Sequence, residues 1–159
     1  MNDSYEWVDG YSSPAYREQM AYVKEKSKEL PSDWGIIAVQ HILIGGGLAE
    51  KRLITDIINQ CLLDCLDEIA ADEAAPAVIA AFCGHNHRDR MIVSPAGYPI
   101  ISLTCDGGES SSWDWDADNR TRTRGTTEEQ AFDVVQINRA DRTIYMTRIG
   151  VGRDRVCRF

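Results

Sequence analysis

No apolar stretch of this chain approaches the roughly 20 residues a helix needs to cross a bilayer. Its first residues, Met1-Asn2-Asp3-Ser4-Tyr5-Glu6, lack both a basic region and an apolar core, so no signal peptide is read there. The five cysteines are odd in number and form no Cys-x-x-Cys pair, which argues against a disulfide framework or a zinc ribbon. Reduced thiols and the missing leader make the cytoplasm the expected compartment. Positive charge is also scarce. A net charge of -8 excludes a general binder of nucleic acid or of an anionic membrane. Histidine is scarcest of all the ligating residues, with three in 159 residues.

What is present fits one domain with a substantial core: 43% of residues are hydrophobic, in short regular runs. Residues 1–12 read as an acidic, aromatic extension and residues 13–159 as a single domain. Charge is uneven along it. The part up to Asn119 carries 8 basic and 20 acidic side chains, whereas from Arg120 onward there are nine arginines, no lysine and five acids. Arg120, Arg122 and Arg124 alternate with threonine and could face a phosphate or simply solvate a strand.

Ser13-Pro14 reads as the start of a helix reaching about Leu30, with Tyr16, Met20 and Val23 inward and Pro31 as the stop. A strand follows over Gly35–Gln40. After Gly45-Gly46-Gly47 the spacing of Ile54, Ile57, Ile58, Cys61, Leu62, Cys65, Leu66 and Ile69 predicts one face of an amphipathic helix. Ala77–Cys83 reads as a buried strand. Arg90–Ser94 and Tyr98–Cys105 read as a hairpin around Pro95-Ala96-Gly97. A long polar loop over Asp106–Thr127 contains Trp113 and Trp115. Strands are expected at Ala131–Asn138, Thr143–Ile149 and Val151–Phe159. The fold class is therefore α+β with α/β character: a mixed, largely antiparallel sheet with two main helices on one face.

The histidines follow strands. His41 comes just after Ile36-Ile37-Ala38-Val39, and Gly84-His85-Asn86-His87 just after Val78-Ile79-Ala80-Ala81-Phe82-Cys83. Ligands favour the carboxyl ends of strands in such sheets. Glycine at the turn is expected to let the chain leave the sheet sharply. Imidazole is the commonest protein metal ligand. Satisfied polar residues at strand ends, with no metal, would give the same pattern.

Gly84-His85-Asn86-His87 resembles the last signature of the calcineurin-like metallophosphoesterases, and Val39-Gln40-His41 the signature before it. The tail, Arg124-Gly125-Thr126-Thr127-Glu128-Glu129-Gln130-Ala131-Phe132-Asp133-Val134-Val135 and then Thr147-Arg148-Ile149-Gly150-Val151-Gly152-Arg153-Asp154-Arg155, resembles a bacterial branch of that family. The resemblance runs from about Ser13 to the end and implies half of an αββα sandwich. It implies that His41 and His85 hold one divalent metal ion (manganese, iron, zinc or similar), that His87 holds a second, and that His85 and His87 act in phosphoester hydrolysis. Asp89 would hold a ligand histidine from behind.

Three earlier signatures of that family are absent: an Asp-x-His, a Gly-Asp supplying a bridging carboxylate, and a Gly-Asn-His. Three neutral imidazoles bring no negative charge to offset two dications, so a dinuclear centre is not expected within one chain. A single ion held by two or three histidines with water is the alternative, with weak or absent occupancy expected. The expected function is thus a metal-dependent phosphoester hydrolase, mono- or diesterase, incomplete as this chain alone. The alternative is a non-catalytic binding or assembly module. In it, a sheet face left apolar by the missing half would be covered by a homodimer partner or another protein, with Trp34, Trp113 and Trp115 as candidate contacts.

Overall fold

The structure is a computed structural model that describes residues 14–44, 59–85, 88–104, 123 and 125–159. Among these are two helices, α1 (Pro14–Ser27) and α2 (Gln60–Ala70), and seven strands. The strands are β1 (Gly35–Val39), β2 (Ala77–Cys83), β3 (Arg90–Val93), β4 (Pro99–Ser102), β5 (Ala131–Asn138), β6 (Thr143–Gly150) and β7 (Arg155–Arg158). The fold is α+β.

The strands form two sheets, not one. The first has the order β1-β2-β4-β3, with β1 and β4 parallel to β2 and β3 antiparallel to β4. The second is the antiparallel meander β5-β6-β7. β2 lies inside the first sheet and is buried on both faces, which is why Ala77–Cys83 reads as an unbroken apolar run. One face packs on the helices, joining Val78, Ala81, Cys83 and Ile100 to Tyr16, Met20, Leu62, Leu66 and Ile69. The other packs on the meander, joining Ile79, Phe82 and Ile101 to Ile144 and Met146.

Neighbouring Ile79 and Ala80 both belong to the second cluster, although alternation would send them to opposite faces. The register explains it: Ile36 pairs with Val78 but Ile37 with Ala80, so Ile79 is an extra residue in a β-bulge. Its side chain occupies the place a Cβ at residue 35 would take, 2.1 Å from Ile79 Cδ1, so Gly35 makes room for the bulge.

α1 begins at Pro14 as expected and stops at Ser27, short of Leu30. Its end tightens into i→i-3 bonds from Lys28, Glu29 and Leu30 as the chain approaches Pro31. α2 begins later than its apolar spacing predicts. Asn59 is non-helical (φ -84°, ψ 81°), and its side chain accepts from Leu62 N. A helix continuous from Ile54 cannot pass through that cap. Ile54, Ile57 and Ile58, the triple glycine, Cys105, Trp113, Trp115, Arg120, Arg122 and Arg124 lie outside the described residues. β7 is also shorter than expected: residues 151–154 turn, with Val151 N donating to Gln130 O and Asp154 accepting from Arg148 N. No helix is long and apolar enough to cross a membrane among the described residues.

Candidate metal site

The sheet hydrogen bonding continues past the ends of β1 and β2. Gln40 N donates to Phe82 O at 3.0 Å, and Gly84 N donates to His41 O at 2.9 Å. These bonds fix the two exits side by side and bring His41 to His85. Nε2 of His41 stands 3.0 Å from Nδ1 of His85. The rings are nearly perpendicular, at 87°, with centroids 5.0 Å apart, so the nitrogens meet edge-on and not face to face. His41 is exposed and His85 half-buried; His87 and Asn86 lie outside the described residues.

His85, not Gly84, takes the unusual backbone conformation at this turn. His85 has φ +76°. A Cβ at residue 84 would meet Leu103 O at 3.6 Å and His41 O at 3.8 Å, which are ordinary contacts. The expectation that glycine supplies the turn is therefore corrected: the left-handed residue is the histidine itself. A non-glycine residue held there carries strain of about 1–2 kcal/mol, of the sort that gathers at functional sites.

The separation of the two nitrogens is compatible with a shared cation. Imidazole nitrogens bind zinc at about 2.0–2.1 Å, so two on one ion at angles of about 90–109° stand about 2.9–3.4 Å apart. The observed 3.0 Å lies inside that span. It is also a hydrogen-bond distance when one ring donates and the other accepts. No group of three or more His, Cys, Asp or Glu side chains forms a metal site among the described residues.

Asp89 is engaged away from the pair of rings. Its Oδ1 accepts from Thr104 N at 2.8 Å and faces Arg155 at 3.0 Å; its Oδ2 faces Arg148 at 2.5 Å. Both arginines also reach Asp133, at 3.0 and 2.7 Å. Burial opposes the Arg148 charge, but the hydrogen bond and attraction of Asp89, with Asp133 behind it, outweigh burial and hold its pKa above the usual value. Two of the C-terminal arginines are thus consumed by acids of the same chain, and they bind the segment after the histidines to the meander.

Sequence reading missed a second polar group behind the site. Asn59, fully buried, donates from Nδ2 to Gln40 Oε1 at 2.7 Å and to the Tyr16 hydroxyl. Gln40 Nε2 donates to Ile42 O at 2.6 Å. The available signal was an asparagine interrupting the apolar spacing Ile57-Ile58-x-x-x-Leu62. Burial pushes the thiol of Cys83, two residues before His85, up to about 11, and that of Cys65 on α2 likewise to about 11.

No protein-family model and no curated protein matches the chain.

Proposed function

We propose that this chain is one half of a metal-dependent phosphoester hydrolase: it holds a divalent cation through His41 and His85, with His87, outside the described residues, as a further candidate ligand. The observation that carries this reading is the 3.0 Å approach of two imidazole nitrogens at the carboxyl ends of adjacent parallel strands. A bound cation polarises a phosphoryl oxygen and lowers the pKa of water. The chain's own residues orient the two rings and hold the segment after them through Asp89. With no carboxylate bridging the site among the described residues, this sequence alone binds one ion and does not turn over substrate; turnover needs acidic ligands brought from outside it. Among the described residues Cys61, Cys65, Cys83 and Cys157 are free thiols, which supports a reducing compartment such as the cytoplasm.

Titration of metal-free protein with cobalt, zinc and manganese tests this, alongside His41→Ala, His85→Ala and His87→Ala. The expected result is one equivalent bound by the parent chain and binding abolished in the first two variants. Chromogenic phosphomonoesters and diesters with added manganese are expected to stay uncleaved by the chain alone. Binding that survives both His41→Ala and His85→Ala sinks the proposal.

A second reading has its own observation. The outer face of the meander exposes Phe132, Val134, Tyr145, Ile149 and Val156. That face supports an assembly role, with a second copy or a partner protein covering it.

A further inference from the structure

We infer that Asn59 is a positioning residue for the histidine pair, acting through the side chain of Gln40. The inference rests on reading His41 and His85 as a cation site.

A helix cap needs only an acceptor oxygen, which serine, threonine or aspartate supplies as well as asparagine. Asn59 does that work with Oδ1, which accepts from Leu62 N at 2.9 Å. Its amide nitrogen adds two donors that a cap does not require. One goes to Gln40 Oε1 at 2.7 Å, the other to the Tyr16 hydroxyl on α1. Its backbone N–H donates to Leu43 O at 2.8 Å. Gln40, directly before His41, passes the restraint forward: its Nε2 donates to Ile42 O at 2.6 Å, directly after His41. The side chain of Gln40 therefore bridges the peptide on either side of His41, and Asn59 holds that bridge from the core.

The restraint is needed because His41 is otherwise poorly held. It sits past the last β1 residue, with an exposed side chain. The sheet fixes its backbone through Gln40 N and its own carbonyl, but neither bond sets the direction of the ring. A fully buried asparagine is expensive unless all its groups are paired. Here four hydrogen bonds satisfy the backbone N–H, the side-chain oxygen and both amide hydrogens. A leucine in this core would avoid that demand but could not hold Gln40.

The test cuts the Asn59–Gln40 hydrogen bond from both ends, Asn59→Ser also losing the bond to Tyr16 and Gln40→Leu the bond to Ile42 O. Asn59→Ser keeps a cap and removes the amide donors that reach Gln40 and Tyr16; Gln40→Leu removes the acceptor and leaves the cap untouched. Two readouts are taken on each variant and on the double variant: nitrogen-15 shifts of the histidine rings in metal-free protein, and cobalt affinity with the visible absorption band. The expected result is the same displacement of the His41 and His85 ring signals in both single variants. Cobalt should bind about 10–100-fold more weakly with an altered band, and the double variant should be no worse than either single one. Parent-like ring signals and cobalt affinity in Gln40→Leu overturn the inference. Gln40 is half-buried, so this variant stays readable if Asn59→Ser folds poorly. Ring signals that shift in both variants, in a parent chain that takes up no cobalt, support the positioning role while refuting the cation site.

Discussion

Arg148 on β6 and Asp89 just before β3 meet at 2.5 Å, an ion pair joining the meander to the chain that has just delivered the histidines. The Arg148 side chain is 3% exposed, and that of Asp133, its other partner, is fully buried. Such a pair is costly to break, because removing one charge strands the other in a poorly solvated place. Arg148→Met should destabilise the protein by about 3–5 kcal/mol. Adding Asp133→Leu should restore a large part of the loss, since Arg155, which pairs with both acids, then faces Asp89 alone. Urea denaturation of the two variants checks both values; a single variant within 1 kcal/mol of the parent, to within about that error, contradicts the account.

Residue 85 offers a clean test of backbone strain. His85→Ala and His85→Gly both delete the imidazole, but only alanine keeps a Cβ at φ +76°. The glycine variant should be more stable than the alanine variant by about 1–2 kcal/mol. Both should bind cobalt equally poorly. Thermal melts read the first expectation and metal titration the second. Equal stability would mean that the turn relaxes and stores no strain.

The glycines invert the expectation drawn from the motif. A Cβ on Gly150 would lie 1.8 Å from Gln130 O, a backbone atom, at φ +94°. Gly150→Ala should cost about 3 kcal/mol or more. Gly84→Ala, inside the most informative stretch of the chain, should cost under about 1 kcal/mol, because its contacts are ordinary. Denaturation midpoints rank the two; the opposite order contradicts the turn geometry.

Cys65 and Cys83 give a pH-dependent signature. Burial raises both thiols to about 11, from the ordinary 9.0. In the native state each therefore keeps its proton where the unfolded chain begins to lose it. Stability from these sites is full below pH 9 and declines as pH rises towards 11. At pH 8 the thiolate fraction falls about a hundredfold relative to an ordinary thiol, two pH units being a factor of 100. Pulse alkylation with mass spectrometry should leave both residues unmodified until urea unfolds the protein. Rapid native labelling of Cys83 would show that its burial is not maintained.

Local features were legible where a short-range rule acts alone. Pro14 starts α1, Pro95-Ala96-Gly97 turns the β3–β4 hairpin, and the doubly buried β2 reads as an apolar run. The split into two sheets was not, because alternation in β5 and β6 marks a buried face without saying what covers it. The Ile79 bulge depends on pairing with β1, and the late start of α2 depends on one capping side chain overriding an apolar period. At the site, the pairing of His41 with His85 follows from two strand ends. The strain on His85, the capture of Asp89 by arginines and the Asn59–Gln40 link arise only in three dimensions.

The outer face of the meander carries the last prediction. In the β5–β6 register Phe132 opposes Ile149, and in the β6–β7 register Tyr145 opposes Val156. With Val134 beside the first pair, these exposed side chains make an apolar strip interrupted by Thr147 and Gln136, which oppose Val134 and Tyr145. The four-stranded sheet does not explain them, since it already buries the opposite face of the meander through Ile144 and Met146. Soluble monomers seldom leave such a strip in water. A self-associating chain should sediment as a dimer, and paired Val134→Lys and Ile149→Lys substitutions should make it monomeric. Those side chains contribute little to the monomer core, so the melting temperature of the variant should change little. A parent chain that stays monomeric at high concentration, or a variant that remains dimeric, removes the case for association through this face.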